Sequence, residues 1–211
     1  KGFTILFANE LLDAQPFQRF RYANGTWGEL GVQVTDAGEL QEVVLDQQQH
    51  SAMNELLMES EKIDELKAME TIQAKIQERL SNVQAKEGYV LDYPSGAELL
   101  LQQLIAGGWK GMVVLFDYGF TWKRLSEECA GGTGRGYKEH QMISDLLKNP
   151  TQMDITCHIC WDFCRKILER EGFSSIQLES QEKFFVQHAG KLIESILTKN
   201  TGTFSKQRQG V

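Results

Sequence analysis

A chain of 211 residues that is 41% hydrophobic and 9% aromatic, with only three prolines, can bury a core and is neither a linker nor a disordered protein. Its net charge of −7 withholds the basic footprint that nucleic acid or an anionic membrane demands of a main partner. No apolar stretch approaches the ~20 residues that span a bilayer, no signal-peptide n-region opens the chain, and four cysteines in this length are not a disulfide framework, so the sequence reads as a soluble intracellular protein.

The run Phe3-Thr4-Ile5-Leu6-Phe7 reads as a buried strand, and a helical turn from Ala8 is terminated by Pro16. Residues 17–22, 26–35 and 40–46 have β character and are separated by the turn signals Asn24-Gly25 and Asp36-Ala37-Gly38, which predicts a meander of two or three strands. The glycines in Trp27-Gly28-Glu29-Leu30-Gly31 add a bulge or close packing. From about His50 to Ala85, apolar residues recur at spacings of three and four (Ile63, Leu66, Met69, Ile72, Ile76, Leu80, Val83), giving one long amphipathic helix that packs on the domain. A short extended segment at 88–93 closes at Pro94, and Ser95 with Glu98 three residues on predicts a capped helix running to Gly107-Gly108. Met112-Val113-Val114-Leu115-Phe116 is a second buried strand, ending in Asp117-Tyr118-Gly119. A glycine-rich loop at 129–136 is followed by a short helix at 140–147, a helix at 161–170 stopped by Gly172, an extended stretch at 173–178, a helix at 182–197 and an extended segment near 203–207. Strands alternating with helices define an α/β sheet, and no internal repeat is present.

Ligands of open α/β sheets bind at the carboxyl ends of the strands, so Asn9-Glu10 and Asp117-Tyr118 are candidates to converge on one rim. Asp13 reads as a cap of the helix or turn that follows it. Gly131-Gly132-Thr133-Gly134-Arg135-Gly136 lacks the buried strand that precedes a phosphate loop and the Gly-Lys-Ser/Thr that completes one, so it reads as a flexible surface loop able to order over a ligand. Cys157-His158-Ile159-Cys160 with Cys164 has zinc-ligand residue types but no second knuckle, and no metal is expected.

Ala8-Asn9-Glu10-Leu11-Leu12-Asp13-Ala14-Gln15-Pro16 resembles the "ANELLDALP" segment of MidA-type proteins, a family of class I S-adenosylmethionine-dependent methyltransferases. Phe116-Asp117-Tyr118-Gly119 is similar to that family's "IDYG", Gly132-Thr133-Gly134-Arg135-Gly136-Tyr137 with His140 to "GTLRxYxxH", Asp154-Ile155-Thr156-Cys157-His158-Ile159 to "DLTAHV", and Gly202-Thr203-Phe204-Ser205 to the closing "G-x-x-F-K". Cys160 stands where the family has Asp, Trp161 for Phe, Thr151 for the Gly after Pro150, and Gln15 for Leu.

The resemblance implies a partial Rossmann-like sheet. Its core is residues 1–16 and 88–211, its β-meander and helical insertion residues 17–87, and the cofactor-binding N-terminal half is not in this chain. The abrupt start implies a C-terminal piece of a longer enzyme, inactive alone. The implied function is methyl transfer from S-adenosylmethionine to a protein arginine, with a respiratory complex I subunit as one substrate, and a cytoplasmic location, or the mitochondrial matrix in a eukaryote. Glu10, Asp117 and His158 are the catalytic candidates; Tyr118, Arg135, Tyr137 and His140 would line the acceptor side, and Asn9 would face the cofactor. The rival is a non-catalytic assembly module docking through its long helix, and a homo-oligomer stays open.

Overall fold

Residues 2–46, 48–50 and 63–204 are described by the structure, a computed structural model. Two compact units divide the chain, Lys1–Ser174 and Ser175–Val211. In the first, β1 (Phe3–Asn9) is followed by a meander of β2 (Gln18–Ala23), β3 (Thr26–Val34) and β4 (Leu40–Val44). The β2–β3 hairpin turns on Asn24 and Gly25, both at positive φ (52° and 80°), a combination that matches the twist of paired strands and that glycine and asparagine tolerate. The expected helix is present as α1 (Ile63–Ser81), its Ile72, Ile76 and Leu80 fully buried; residues 51–62 of the predicted span lie outside the described residues. The extended segment is β5 (Val90–Tyr93), which pairs antiparallel with β2 and completes a sheet of order β4-β3-β2-β5.

Next comes α2 (Ser95–Ile105). Ser95 is its first residue and not its cap; Pro94 holds the cap position without a side-chain bond. A tertiary contact fixes this helix start instead, Gly96 N donating to Pro16 O at 2.8 Å. The Arg79–Glu98 ion pair at 2.7 Å ties α1 to α2, and Tyr93 Oη donates to the same Glu98 carboxylate at 2.5 Å. The core between sheet and helices gathers Phe20, Ile76, Leu80, Leu91, Tyr93, Leu125 and Phe163.

Parallel to β1 runs β6 (Lys110–Phe116), in register from Phe3 opposite Lys110 to Asn9 opposite Phe116. The expectation that β1 is a buried strand is corrected. Only Ala8 of it is buried, and Phe3, Ile5 and Phe7 stand 72%, 61% and 62% exposed, because among the described residues β1 pairs with β6 alone and nothing covers that face.

Beyond β6 come β7 (Gly119–Phe120) and α3 (Trp122–Glu127), a helix the sequence reading had not marked; the Thr121 hydroxyl caps it by accepting from Arg124 N at 3.3 Å. The short helix expected at 140–147 is absent. Its place is taken by a hairpin of β8 (Arg135–Lys138) and β9 (Gln141–Ile143) that turns on Glu139 and His140 at φ 50° and 63°, values no right-handed helix accommodates. Then β10 (Asp154–Thr156) pairs antiparallel with β8, and β11 (Ile159–Cys160) lies parallel to β7. The predicted helix at 161–170 is α4 (Trp161–Arg170), and past its end Gly172 takes φ 85°.

Residues 173–178 form no strand. The second unit holds α5 (Gln181–Phe204), so Thr203 and Phe204 are helical, whereas 205–207 lie outside the described residues. Among the described residues no helix is long and apolar enough to cross a membrane.

Candidate active site

Because β1 and β6 are parallel and in register, the residues that follow them leave the sheet side by side. Glu10 takes φ 50° and its N–H donates to Phe116 O at 2.8 Å, which turns the chain sharply at the rim and leaves the Asn9 and Glu10 side chains exposed. Asp117 fastens this turn from the neighbouring strand: its Oδ2 accepts from Leu12 N and its Oδ1 from Tyr118 N, both at 2.9 Å. Burial raises the Asp117 pKa, opposed by those backbone amides.

The turn carries Asp13 inward to 5% exposure, where its Oδ1 has no partner among the described residues. Burial, then the charges of Asp117 and Glu10, push its pKa up to about 6. Three carboxyl groups thus meet at one strand end, and no ion pair to a basic side chain reaches any of them among the described residues. No helix follows Asp13, which lies in a turn, so of the helix-or-turn cap reading only the turn applies.

Residues 157–159 run along the same edge. Cys157 N donates to Asp13 O at 2.8 Å and Ile159 N to Tyr118 O at 2.9 Å, so the backbone on both sides of His158 is sewn to the rim. The imidazole is 9% exposed and stacked on Phe120 at 4.4 Å between centroids. Burial and the positive charge of Arg135 push its pKa down to about 4, so the ring is neutral at physiological pH and its Nδ1 is a buried nitrogen without a partner.

The glycine-rich segment has a different role from the one expected. Thr133 N and Gly134 N each donate to Asp92 Oδ2 at 2.7 Å, and Arg19 grips the same carboxylate through Nε at 2.7 Å and Nη2 at 3.1 Å. At Gly132, φ is 78° and any Cβ would collide with the Asp92 carboxylate. The amides that resemble an anion cradle are therefore closed on the chain's own buried aspartate, and the loop is pinned at this point, which corrects the reading as a flexible flap. The pinned loop feeds Arg135 and Tyr137 into β8, opposite Thr156 and Asp154 of β10, while His140 sits exposed at the tip of the β8–β9 hairpin.

The structure thus brings Asn9, Glu10, Asp117, Tyr118 and the backbone of His158 to one rim and sets Arg135 near the imidazole. Tyr137 and His140 stand further along the hairpin. The sequence reading missed Asp13, Asp92 and Arg19. Arg19 is a charged residue inside a β-patterned run, which is the sequence signal of a buried acidic partner.

Cys157, Cys160 and Cys164 are buried with their thiol pKa values raised by burial, Cys160 to about 12. Among the described residues no group of three or more His, Cys, Asp or Glu could hold a metal ion.

A parallel strand pair with polar strand ends, joined to an antiparallel insertion and flanking helices, is an α/β arrangement with its candidate ligand edge at the strand carboxyl ends. The family described as "Putative S-adenosyl-L-methionine-dependent methyltransferase" matches residues 1–178, and the chain belongs to that family. It is 25% identical over 172 residues to the Caenorhabditis elegans mitochondrial protein arginine methyltransferase NDUFAF7 homolog, covering 80% of this chain and 33% of that protein. Two crystal structures of Burkholderia thailandensis proteins from one superfamily, one native and one bound to S-adenosyl-homocysteine, share its fold. Each aligns at TM-score 0.62 and 21% identity over 82% of this chain, with 40% and 38% of their own chains covered. The chain spans about a third of the curated relative it matches.

The residues present fit the cationic side of such a reaction: uncompensated carboxyls suit a sulfonium or guanidinium group. The one glycine loop that resembles a cofactor cradle does not fit, since Asp92 fills it.

Proposed function

We propose that this chain forms the acceptor side of an S-adenosylmethionine-dependent protein methyltransferase whose acceptor is an arginine side chain. The observation that carries the reading is the cluster of Glu10, Asp13 and Asp117 at the end of two parallel strands, without a basic partner among the described residues. The name of the Caenorhabditis elegans relative supports arginine as acceptor and mitochondria as location. A respiratory complex I subunit as the acceptor protein rests on the family resemblance.

The cofactor, when bound, supplies an electrophilic methyl group. The chain's own contribution is placement. Glu10, exposed at the rim, contacts the guanidinium; Asp117, held rigid by two backbone amides, sets its direction and offsets its charge. Tyr118, 60% exposed, offers an aromatic wall beside them, and Asn9 borders the cofactor side. Arg135, Tyr137 and His140 line the outer path to the acceptor, and the neutral His158 stiffens the inner wall.

In the active methyltransferase, Glu10→Gln is expected to lower kcat/KM about 10²-fold without moving the unfolding midpoint, because the exposed side chain loses charge and keeps its volume. Steady-state kinetics and thermal unfolding check this; unchanged kinetics would overturn the site.

The isolated chain is expected to bind S-adenosylmethionine weakly or not at all, since its loop amides are engaged by Asp92. Calorimetric titration reading micromolar affinity would contradict that. The rival reading as an assembly module draws on the exposed face of Phe3, Ile5 and Phe7, and the Glu10→Gln kinetics separate the two.

A further inference from the structure

A pair of buried side chains joins the meander sheet to the rim. Thr133 and Cys157 are 4% and 2% exposed, and Thr133 Oγ1 lies 3.5 Å from Cys157 Sγ. The thiol donates to the His158 carbonyl at 3.7 Å, which leaves its sulfur to accept from the threonine hydroxyl. That hydroxyl has no other hydrogen bond among the described residues. A valine would fill the same space without burying an O–H, so the contact with Cys157 is what the hydroxyl is there to make.

Each partner is anchored on its far side. Thr133 N donates to Asp92 Oδ2 on β5 at 2.7 Å, and Arg19 grips that carboxylate from β2, which fixes the threonine to the meander sheet. Cys157 N donates to Asp13 O at 2.8 Å, and the residue before Asp13, Leu12, donates its N–H to Asp117 Oδ2 at 2.9 Å. Cys157 and His158 lie between two ladders: β10 ends at Thr156 against β8, and β11 begins at Ile159 against β7. Strand pairing does not reach this gap, and the side-chain joint spans it.

We propose that the joint between Thr133 and Cys157 positions the acceptor rim, setting the turn at Asp13 and through it the direction of Asp117 toward the substrate guanidinium. The inference rests on the guanidinium reading above. Thr133 is a positioning residue; it is buried away from the acceptor and acts through Cys157 and the Asp13 backbone. The meander, inserted between the two strands of the rim sheet, thereby takes part in seating the acceptor.

Thr133→Val keeps the backbone bond to Asp92 and nearly the same volume, and removes the hydroxyl alone. In the active methyltransferase, with an arginine peptide as acceptor, it is expected to raise the acceptor KM about tenfold, less than the ~10²-fold that a misplacement of ~1 Å costs. The KM for S-adenosylmethionine should stay unchanged, and Thr133→Ser, which keeps the hydroxyl, should restore the acceptor KM. A fall in kcat with both KM values unchanged is what a loss of folded enzyme gives, and it overturns the inference, as does a serine variant impaired like the valine one. Cys157→Ala should raise the acceptor KM as Thr133→Val does, and the double variant should raise it no further; effects that multiply overturn the joint. Hydrogen exchange followed by NMR in the full chain gives a readout free of activity. Thr133→Val should speed exchange at the Leu12 and Cys157 amides and leave the β1–β6 ladder unmoved. Unchanged exchange at those two amides overturns the joint. Faster exchange there, in a protein whose wild-type form methylates no arginine peptide, upholds the joint and overturns the guanidinium reading.

Discussion

Arg19→Ala is expected to destabilise the first unit by ~3–5 kcal/mol, the range for removing one partner of a buried pair. Asp92 is 2% exposed and its carboxylate is held by Arg19 on one side and by Thr133 N and Gly134 N on the other. Burial works against the Arg19 charge, yet its hydrogen bonds and charge contacts with Asp92 and Glu42 raise its pKa, so it stays a cation throughout the folded range. Truncation leaves a buried carboxylate with two neutral donors in place of a guanidinium fork, and it cuts the tie to Glu42 on β4 at 2.9 Å. Urea unfolding measures the loss. Hydrogen exchange at Thr133 and Gly134 gives the local readout, with protection expected to fall as the loop loses its anchor. A loss below about 1 kcal/mol would mean that the pair is no better than a surface ion pair, and the closed-cradle account would fail.

That network also shows what the sequence could and could not reveal. The meander was legible because Asn24-Gly25 and Gly38 are local devices, whose positive φ requirement is written in the residues that turn the chain. The helix at 161–170 was legible for the same reason, its stop being Gly172. The β8–β9 hairpin was not, because Glu139 and His140 carry no turn signature and are held at positive φ by the pairing of β8 with both β9 and β10. The glycine loop misled for a related reason. Its composition announces amides presented to an anion, but the anion is Asp92, 41 residues away along the chain, a pairing that only the fold reveals.

The rim was half legible. The two apolar runs marked Asn9-Glu10 and Asp117-Tyr118 as strand ends, but that the strands are parallel neighbours is seen only in the register of β1 with β6. Asp13 was lost because a carboxylate after an apolar run reads first as a cap; its burial comes from the left-handed turn at Glu10 and the Asp117–Leu12 bond, which depend on tertiary contact. The long-range bonds from residues 157–159 to Asp13 and Tyr118 likewise have no local signature. The rim is therefore assembled from three separate stretches of chain, each ordinary by itself.

Asp13→Asn is expected to stabilise the protein at neutral pH, by ~3 kcal/mol for a carboxyl raised by about two pH units, and to leave it unchanged in acid. The sign follows from linkage. Asp13 titrates near 3.8 when unfolded and near 6 when folded, so the folded state holds the proton more tightly. Its contribution is fully present below pH 3.8 and is lost as pH rises through 6, where the native chain must carry a second charge against Asp117 and Glu10. Asparagine is neutral at every pH, so the difference between variant and parent should open between about pH 4 and 6 and stay flat above. Chemical denaturation at pH 3.5, 5 and 7.5 would trace it; equal stabilities at pH 7.5 would show that Asp13 ionises freely and that no strain is stored at the rim. Under the proposed function the same substitution should weaken cation binding, because it removes a carboxylate charge that a guanidinium would offset. A rim selected for stability alone would carry the amide; a carboxyl at this buried position fits a site whose ligand brings the missing positive charge.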